Sequence, residues 1–287
     1  MSSEPSGSGN ATLPPPSAPH SEGERQNLAM VLSYDGGSFQ GWQFQPHGPT
    51  VQGRLEEALR TITGQEIKVY GSGRTDAGVH ALNQVANFRV SPSQDLHKLQ
   101  ASLNGLAGPA ISVKHLIPVS PRFHARHSAI GKIYRYHLFN RRYPPVFARG
   151  RAWWIRSLLD LPAMQEAARA MLGEQDFSAF RAADCAAASP VRTMRRIELE
   201  SGDWSDGTLR IEMEASGFLQ HMARIVVGTL VAVGLGRLEP ADIPRILAAG
   251  RREAADATAP GHGLYLFRVC YDVAEFPALR ALESDPG

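Results

Sequence analysis

The sequence predicts an α+β fold: two similar α/β subdomains with a largely antiparallel sheet, helices on one face, and a cleft between the halves. Three observations lead there. Short runs of period-two alternation recur along the chain. Amphipathic helical stripes fall among them rather than in a block of their own. The order strand, helix, hairpin, helix, strand in the first half returns in the second, although no residue repeat accompanies it.

Residues 1–27 are rich in Ser, Pro and Gly, carry Glu4, Glu22 and Glu24, and lack an apolar stretch, so a disordered extension is expected rather than a secretion or transit signal. Leu28 to Tyr34 reads as a buried strand, closed by the turn Asp35-Gly36-Gly37. The aromatic-rich Phe39-Gln40-Gly41-Trp42-Gln43 fits either a loop packed on the core or a surface that stacks bases. Val51 to Thr63 carries apolar residues at 51, 55, 58, 59 and 62, a helical stripe that Gly64 ends. Glu66 to Tyr70 and Gln84 to Val90 read as strands on either side of a tight loop. Asp95 to Leu106 places leucines at 96, 99, 103 and 106 behind an acidic cap, and Ile111 to Val119 is another strand. Arg122 to Ile130 marks the border, giving subdomains 28–125 and 126–276 and a flexible tail at 277–287.

In the second half, Lys132 to Asn140 alternates as a strand with Tyr134, Tyr136 and Leu138 on one face and Ile133, Arg135, His137 and Phe139 on the other. Asp160 opens a helix with Pro162 in its first turn, and Gly173 closes it. Met194 to Glu200 and Thr208 to Ala215 form a hairpin with a well-specified register. Phe218 to Val233 is apolar nearly all round and reads as a buried helix. Its exceptions, Gln220, His221 and Arg224 with Gly228, make one narrow stripe. Burying Arg224 without a partner would cost several kcal/mol, so it should meet a carboxylate or a substrate phosphate, Asp76 before any other. A structural acid, or snorkelling to the surface, is the alternative. Pro240 to Ala249 is a short helix and Leu264 to Val273 a final strand.

The loop between the two middle strands, Gly71-Ser72-Gly73-Arg74-Thr75-Asp76-Ala77-Gly78-Val79-His80, carries the chemistry. Its three glycines permit positive φ and close approach of a ligand. Arg74 and Asp76 are two apart and share a side in an extended stretch, where a carboxylate beside a guanidinium stays ionised and can act as nucleophile or base. A plain turn with Asp76 capping local amides fits the same composition. A P-loop does not, because Val79-His80 stands where Lys-Ser/Thr is required and a strand follows.

The net charge of +2 hides an asymmetry, for Leu96 to Leu159 contains eleven Lys and Arg and no acid. Such a block attracts a polyanion. Within Arg122 to Arg156 the cations, including Arg126, Lys132, Arg135, Arg141 and Arg142, are interleaved with aromatics, the pattern of a nucleic-acid groove. Part of those aromatics belongs to the core. Arg74 is placed to help unstack a base. No run of eighteen apolar residues occurs, which argues against a membrane span. Cys185 and Cys270 lack CxxC partners, so neither a disulfide framework nor a zinc site is indicated and a reducing cytoplasm fits. His124-x-x-His127 lacks companions for a metal shell.

Gly73-Arg74-Thr75-Asp76-Ala77-Gly78-Val79-His80-Ala81 resembles the active-site motif of the TruA family of tRNA pseudouridine synthases. Phe123-His124-Ala125-Arg126, Tyr134-Arg135-Tyr136, Gly173-Glu174-Gln175-Asp176-Phe177, Gly217 to Arg224 and Gly263-Leu264-Tyr265-Leu266 resemble family segments in the family's order, so the likeness spans roughly residues 28–273. Ala223 stands before Arg224 where a larger apolar residue is usual. The resemblance implies the pseudouridine synthase fold and isomerisation of uridine to pseudouridine at positions 38 to 40 of the tRNA anticodon stem-loop. It also implies a homodimer that uses no cofactor and no metal. By position, Asp76 resembles the essential aspartate, Tyr134 the tyrosine against the target base, Arg224 the arginine that pairs with the aspartate, and Arg74 the arginine of base flipping.

Overall fold

A computed structural model describes residues 25–201 and 208–282. The extension expected over 1–27 lies outside the described residues up to 24, and Gln26 and Asn27 already belong to the first strand.

The first half runs β1 (Gln26–Tyr34), α1 (Val51–Thr63), β2 (Tyr70–Gly71), β3 (His80–Val90), α2 (Leu96–Leu106) and β4 (Ile111–Pro118). The second runs β5 (Ala129–Asn140), β6 (Trp153–Ile155), α3 (Leu161–Arg169), β7 (Gly173–Asp176), β8 (Val191–Ser201), β9 (Thr208–Ala215), α4 (Met222–Gly234), α5 (Asp242–Ala249) and β10 (Leu264–Tyr271). Helix ends sit where cap chemistry puts them. The Thr50 hydroxyl accepts from the Gly53 amide, Asp95 from His97 and Lys98, and Asp160 from Ala163, while Gly64 and Gly250 end α1 and α5 in the left-handed region.

All strands join one sheet in the order β4-β1-β3-β10-β5-β9-β8-β7, with β2 added to β3 and β6 to β5. The expected repeat is visible in this order. In each half the last strand lies beside the first, and the first beside the return strand of the hairpin: β4-β1-β3, then β10-β5-β9. The pairings are antiparallel except β5 with β6 and the seam between halves, where β10 meets β3 through only Tyr265↔His80 and Leu266↔Ala81. The helices pack in pairs, α1 on α2 and α3 on α4. One apolar core runs through both halves, from Leu28, Met30 and Phe88 to Tyr136, Met213 and Ile225.

Four expectations are corrected. The strand expected at 66–70 shrinks to Tyr70–Gly71, and the strand expected from Gln84 begins at His80, so the loop between them is shorter at its exit. The helix expected from Phe218 begins at Met222, because His221 takes a left-handed φ of 63° that no helix can pass through. Gln220 is therefore not on a helical stripe. Of the tail expected over 277–287, Pro277–Leu282 is a 3-10 helix that seats Leu279, 1% exposed, in the core, and 283–287 lie outside the described residues. No helix among the described residues is long and apolar enough to cross a membrane.

Candidate active site

The loop from β2 into β3 is pinned at its entry and around Thr75 by bonds from other elements. Ser72 N–H donates to the Val85 carbonyl (2.8 Å) and its hydroxyl to Gln84 Oε1 (2.6 Å). Gln84 Nε2 returns a bond to the Gly73 carbonyl (3.0 Å), and Lys132 Nζ donates to the Ser72 carbonyl (2.9 Å). The Thr75 hydroxyl shares a 2.8 Å bond with Tyr34, and the Thr75 carbonyl accepts from Trp42 N (3.0 Å). Of the loop glycines only Gly78 needs positive φ (77°); at Gly73 the Lys132 ammonium lies close, 2.4 Å from where a Cβ would stand. Trp42 is buried against Tyr34, which settles the aromatic segment after β1 as core.

Asp76 meets residues brought from the other half. Arg224 Nη1 donates to Asp76 Oδ2 at 2.8 Å, and Arg224 Nε to the Ala259 carbonyl at 2.7 Å. Arg224 is the only residue of α4 that is not buried. The expected stripe thus reduces to one guanidinium that leaves an apolar helix to reach one carboxylate. His221 Nε2 lies 3.5 Å from the same oxygen. A Cβ at Gly228, one turn further along α4, would fall 1.8 Å from the Ala257 carbonyl, so glycine lets the 257–259 segment lie close enough to receive Arg224.

Tyr134 forms a wall beside this pair. It is 7% exposed, edge-on to Phe218 with centroids 4.8 Å apart at 78°. Burial first, then the negative charge available on Tyr34 and Asp76, holds its phenol far above the ordinary range. It is a neutral aromatic surface with its proton in place.

The remaining candidates separate. Arg74 projects from the loop, exposed, with no ion pair to Asp76; the guanidinium beside the carboxylate is that of Arg224 instead. Arg126 and Arg142 are exposed, and Arg141 is partly buried with Nη1 on the Asn140 carbonyl. Arg135 is set apart from the other cations. Alternation turns it to the face of β5 opposite Tyr134, where its Nε donates to Glu212 Oε2 (2.6 Å) and its guanidinium carbon lies 3.2 Å from the Phe267 ring centre. Arg151 is tied to Asp35 (2.7 Å). His124 and His127 stand 4.4 Å apart, and no group of three His, Cys, Asp or Glu suited to a metal occurs among the described residues. Sequence reading missed Tyr34, Gln84 and Phe218 as parts of the site and singled out His221 only as a polar exception in an apolar stretch. Gln84 left a trace as a polar residue among Leu82, Ala86, Phe88 and Val90 on one face of β3.

Comparison with known proteins gives this geometry its class. Residues 30–128 and 167–272 match the family described as tRNA pseudouridine synthase, and the chain belongs to that family of isomerases acting on tRNA uridines. It is 45% identical over 247 residues to tRNA pseudouridine synthase A of Moorella thermoacetica, covering 85% of this chain and 99% of that one. The proteins of the same name from Rhodospirillum centenum and Geotalea daltonii are 44% and 40% identical, each matched over its whole length and over 86% of this chain.

Proposed function

We propose that this enzyme isomerises uridine to pseudouridine at positions 38, 39 and 40 in the anticodon stem-loop of tRNA, with Asp76 as its catalytic group. The observation that carries the reading is the 2.8 Å pairing of Asp76 with Arg224 across the two halves, beside the neutral ring of Tyr134. Residues 28–125 act as the subdomain that carries the catalytic loop, and 126–276 as the one that supplies the wall and the arginine.

The reaction breaks C1'–N1 and forms C1'–C5; a proton leaves C5 and one is gained at N1. Composition and oxidation state are unchanged, so one oriented carboxylate suffices, by attack on C1' or C6 or by removal of the C2' proton. No cofactor or metal enters this scheme. Tyr134 keeps its proton and serves as the surface against which the base lies, while Arg74, exposed at the loop, reaches into the stem from which the base is withdrawn. Arg126, Lys132, Arg141 and Arg142 follow the phosphates. The enzyme works in the cytoplasm as a homodimer.

Asp76→Ala is the direct test. It is expected to bind tRNA and to release no tritium from tRNA labelled at uridine C5, with no pseudouridine mapped at positions 38 to 40. Full activity would remove Asp76 from its role, and wild-type protein that binds tRNA without modifying it would make the chain an RNA-binding protein instead.

A further inference from the structure

Lys132 is used in a way that its place among surface cations does not explain. Its side chain is partly buried under the catalytic loop, where Nζ donates to the Ser72 carbonyl at 2.9 Å and rests against Gly73. An ammonium has three N–H donors, so two stay available after that bond. The charges acting on it are both positive, Arg126 from the turn before β5 and Arg192 from the start of β8. No carboxylate among the described residues forms an ion pair with it, and Asp76 is engaged by Arg224. Arg192 is itself fixed, since its Nη1 donates to the carbonyls of Ser189 (2.9 Å) and Val191 (2.6 Å).

A partly buried ammonium that feels two positive charges and no carboxylate is repelled by its surroundings unless an anion completes the group. Its position says which anion. Lys132 and Tyr134 lie two residues apart on one face of β5, about 7 Å along the strand, and the Ser72 carbonyl that Lys132 holds belongs to the same loop as Asp76. We infer that Lys132, with Arg126 and Arg192, forms a subsite for the phosphodiester that borders the uridine presented to Asp76. This rests on the reading of Asp76 and Tyr134 given above.

A titration distinguishes this subsite from a general basic surface. Burial, then Arg126 and Arg192, brings the Lys132 ammonium down to about 8. The charged form binds phosphate, so affinity is full below that value and falls as pH rises through it. The probe is an unmodified tRNA transcript, and binding is measured from pH 6.5 to 9.5 and over a salt series, in the wild type and in an Asp76→Ala background that cannot turn over.

Wild-type affinity is expected to fall as pH rises through about 8 and to level off at the loss shown by Lys132→Gln. Lys132→Gln should weaken binding about 10- to 100-fold, lower the slope of log affinity against log salt by about 0.7 to 0.9, and flatten the pH profile. Lys132→Arg should keep the affinity and also flatten the profile. A flat wild-type profile, an unchanged salt slope in Lys132→Gln, or an equal loss in Lys132→Arg and Lys132→Gln overturns the subsite. If these binding results hold while Asp76→Ala stays active, the subsite stands and the catalytic reading falls.

Discussion

Arg224 uses its two edges differently: Nη1 meets Asp76 and Nε meets the Ala259 carbonyl, so the planar fork sets the direction of the carboxylate as well as its charge. A lysine has a charge but no fork. Arg224→Lys is therefore expected to lower single-turnover tritium release about 10- to 100-fold, the worth of one charge-assisted hydrogen bond, while tRNA affinity stays within about threefold. Equal rates would show that charge alone suffices. At this scale the sequence was legible wherever a polar residue broke a strict pattern. Asp76 in a glycine-bounded turn and Arg224 in an apolar helix are of that kind. Arg135 was not legible, because alternation tells which residues share a face and not which face looks onto the substrate. His221 escaped for another reason: nothing in a histidine announces a left-handed backbone, and that single φ turned the first four residues of an expected helix into a loop.

Elements were read well where capping chemistry marks them, as at Asp95, Asp160 and Gly64, and poorly where a strand is short and held only by its neighbour, as at β2. Close approach of backbones leaves still less trace. Gly228 in α4 looks like a helix-weakening residue, and by propensity alone Gly→Ala would stabilise by about 0.8–1 kcal/mol. The Ala257 carbonyl, 1.8 Å from the position of the new Cβ, reverses the sign. Gly228→Ala is expected to destabilise by about 1–3 kcal/mol and to slow catalysis, since the displaced segment carries the Ala259 carbonyl that steadies Arg224. Gly105 in α2 is the control. A Cβ there meets nothing within 4 Å, so Gly105→Ala should raise the melting temperature and leave activity alone. If both alanines stabilise, the close approach at Gly228 is not what that glycine provides.

At the scale of the whole molecule, the Asp76–Arg224 pair joins residues 148 apart in sequence, and its geometry depends on how the two half-sheets are joined. The seam is narrow: β10 and β3 share two residue pairs, while β10 runs along β5 for its full length. Tyr265 and Leu266 take part in both pairings; Leu266 lies opposite Ala81 on β3, which follows the Asp76 loop, and Tyr134 on β5, and it is 0% exposed. Side-chain contacts reinforce the seam, with Tyr265 stacked on His80 at 4.7 Å and its hydroxyl donating to the Arg151 carbonyl at 3.0 Å. Because one core crosses this seam, the halves should lose their structure together. Leu266→Ala is expected to cost about 2–5 kcal/mol through the cavity it leaves, lowering the urea midpoint without changing the slope of the transition. Circular dichroism and the fluorescence of two single-tryptophan versions of each protein, one keeping Trp42 and the other keeping Trp153 of the four tryptophans, would follow a single transition. Two transitions in the variant, with the Trp42 signal parting from the Trp153 signal, would mean that the hydrogen-bonded seam rather than the shared core couples the halves, and tritium release should then vanish with the first of them, because either half alone holds only one member of the Asp76–Arg224 pair.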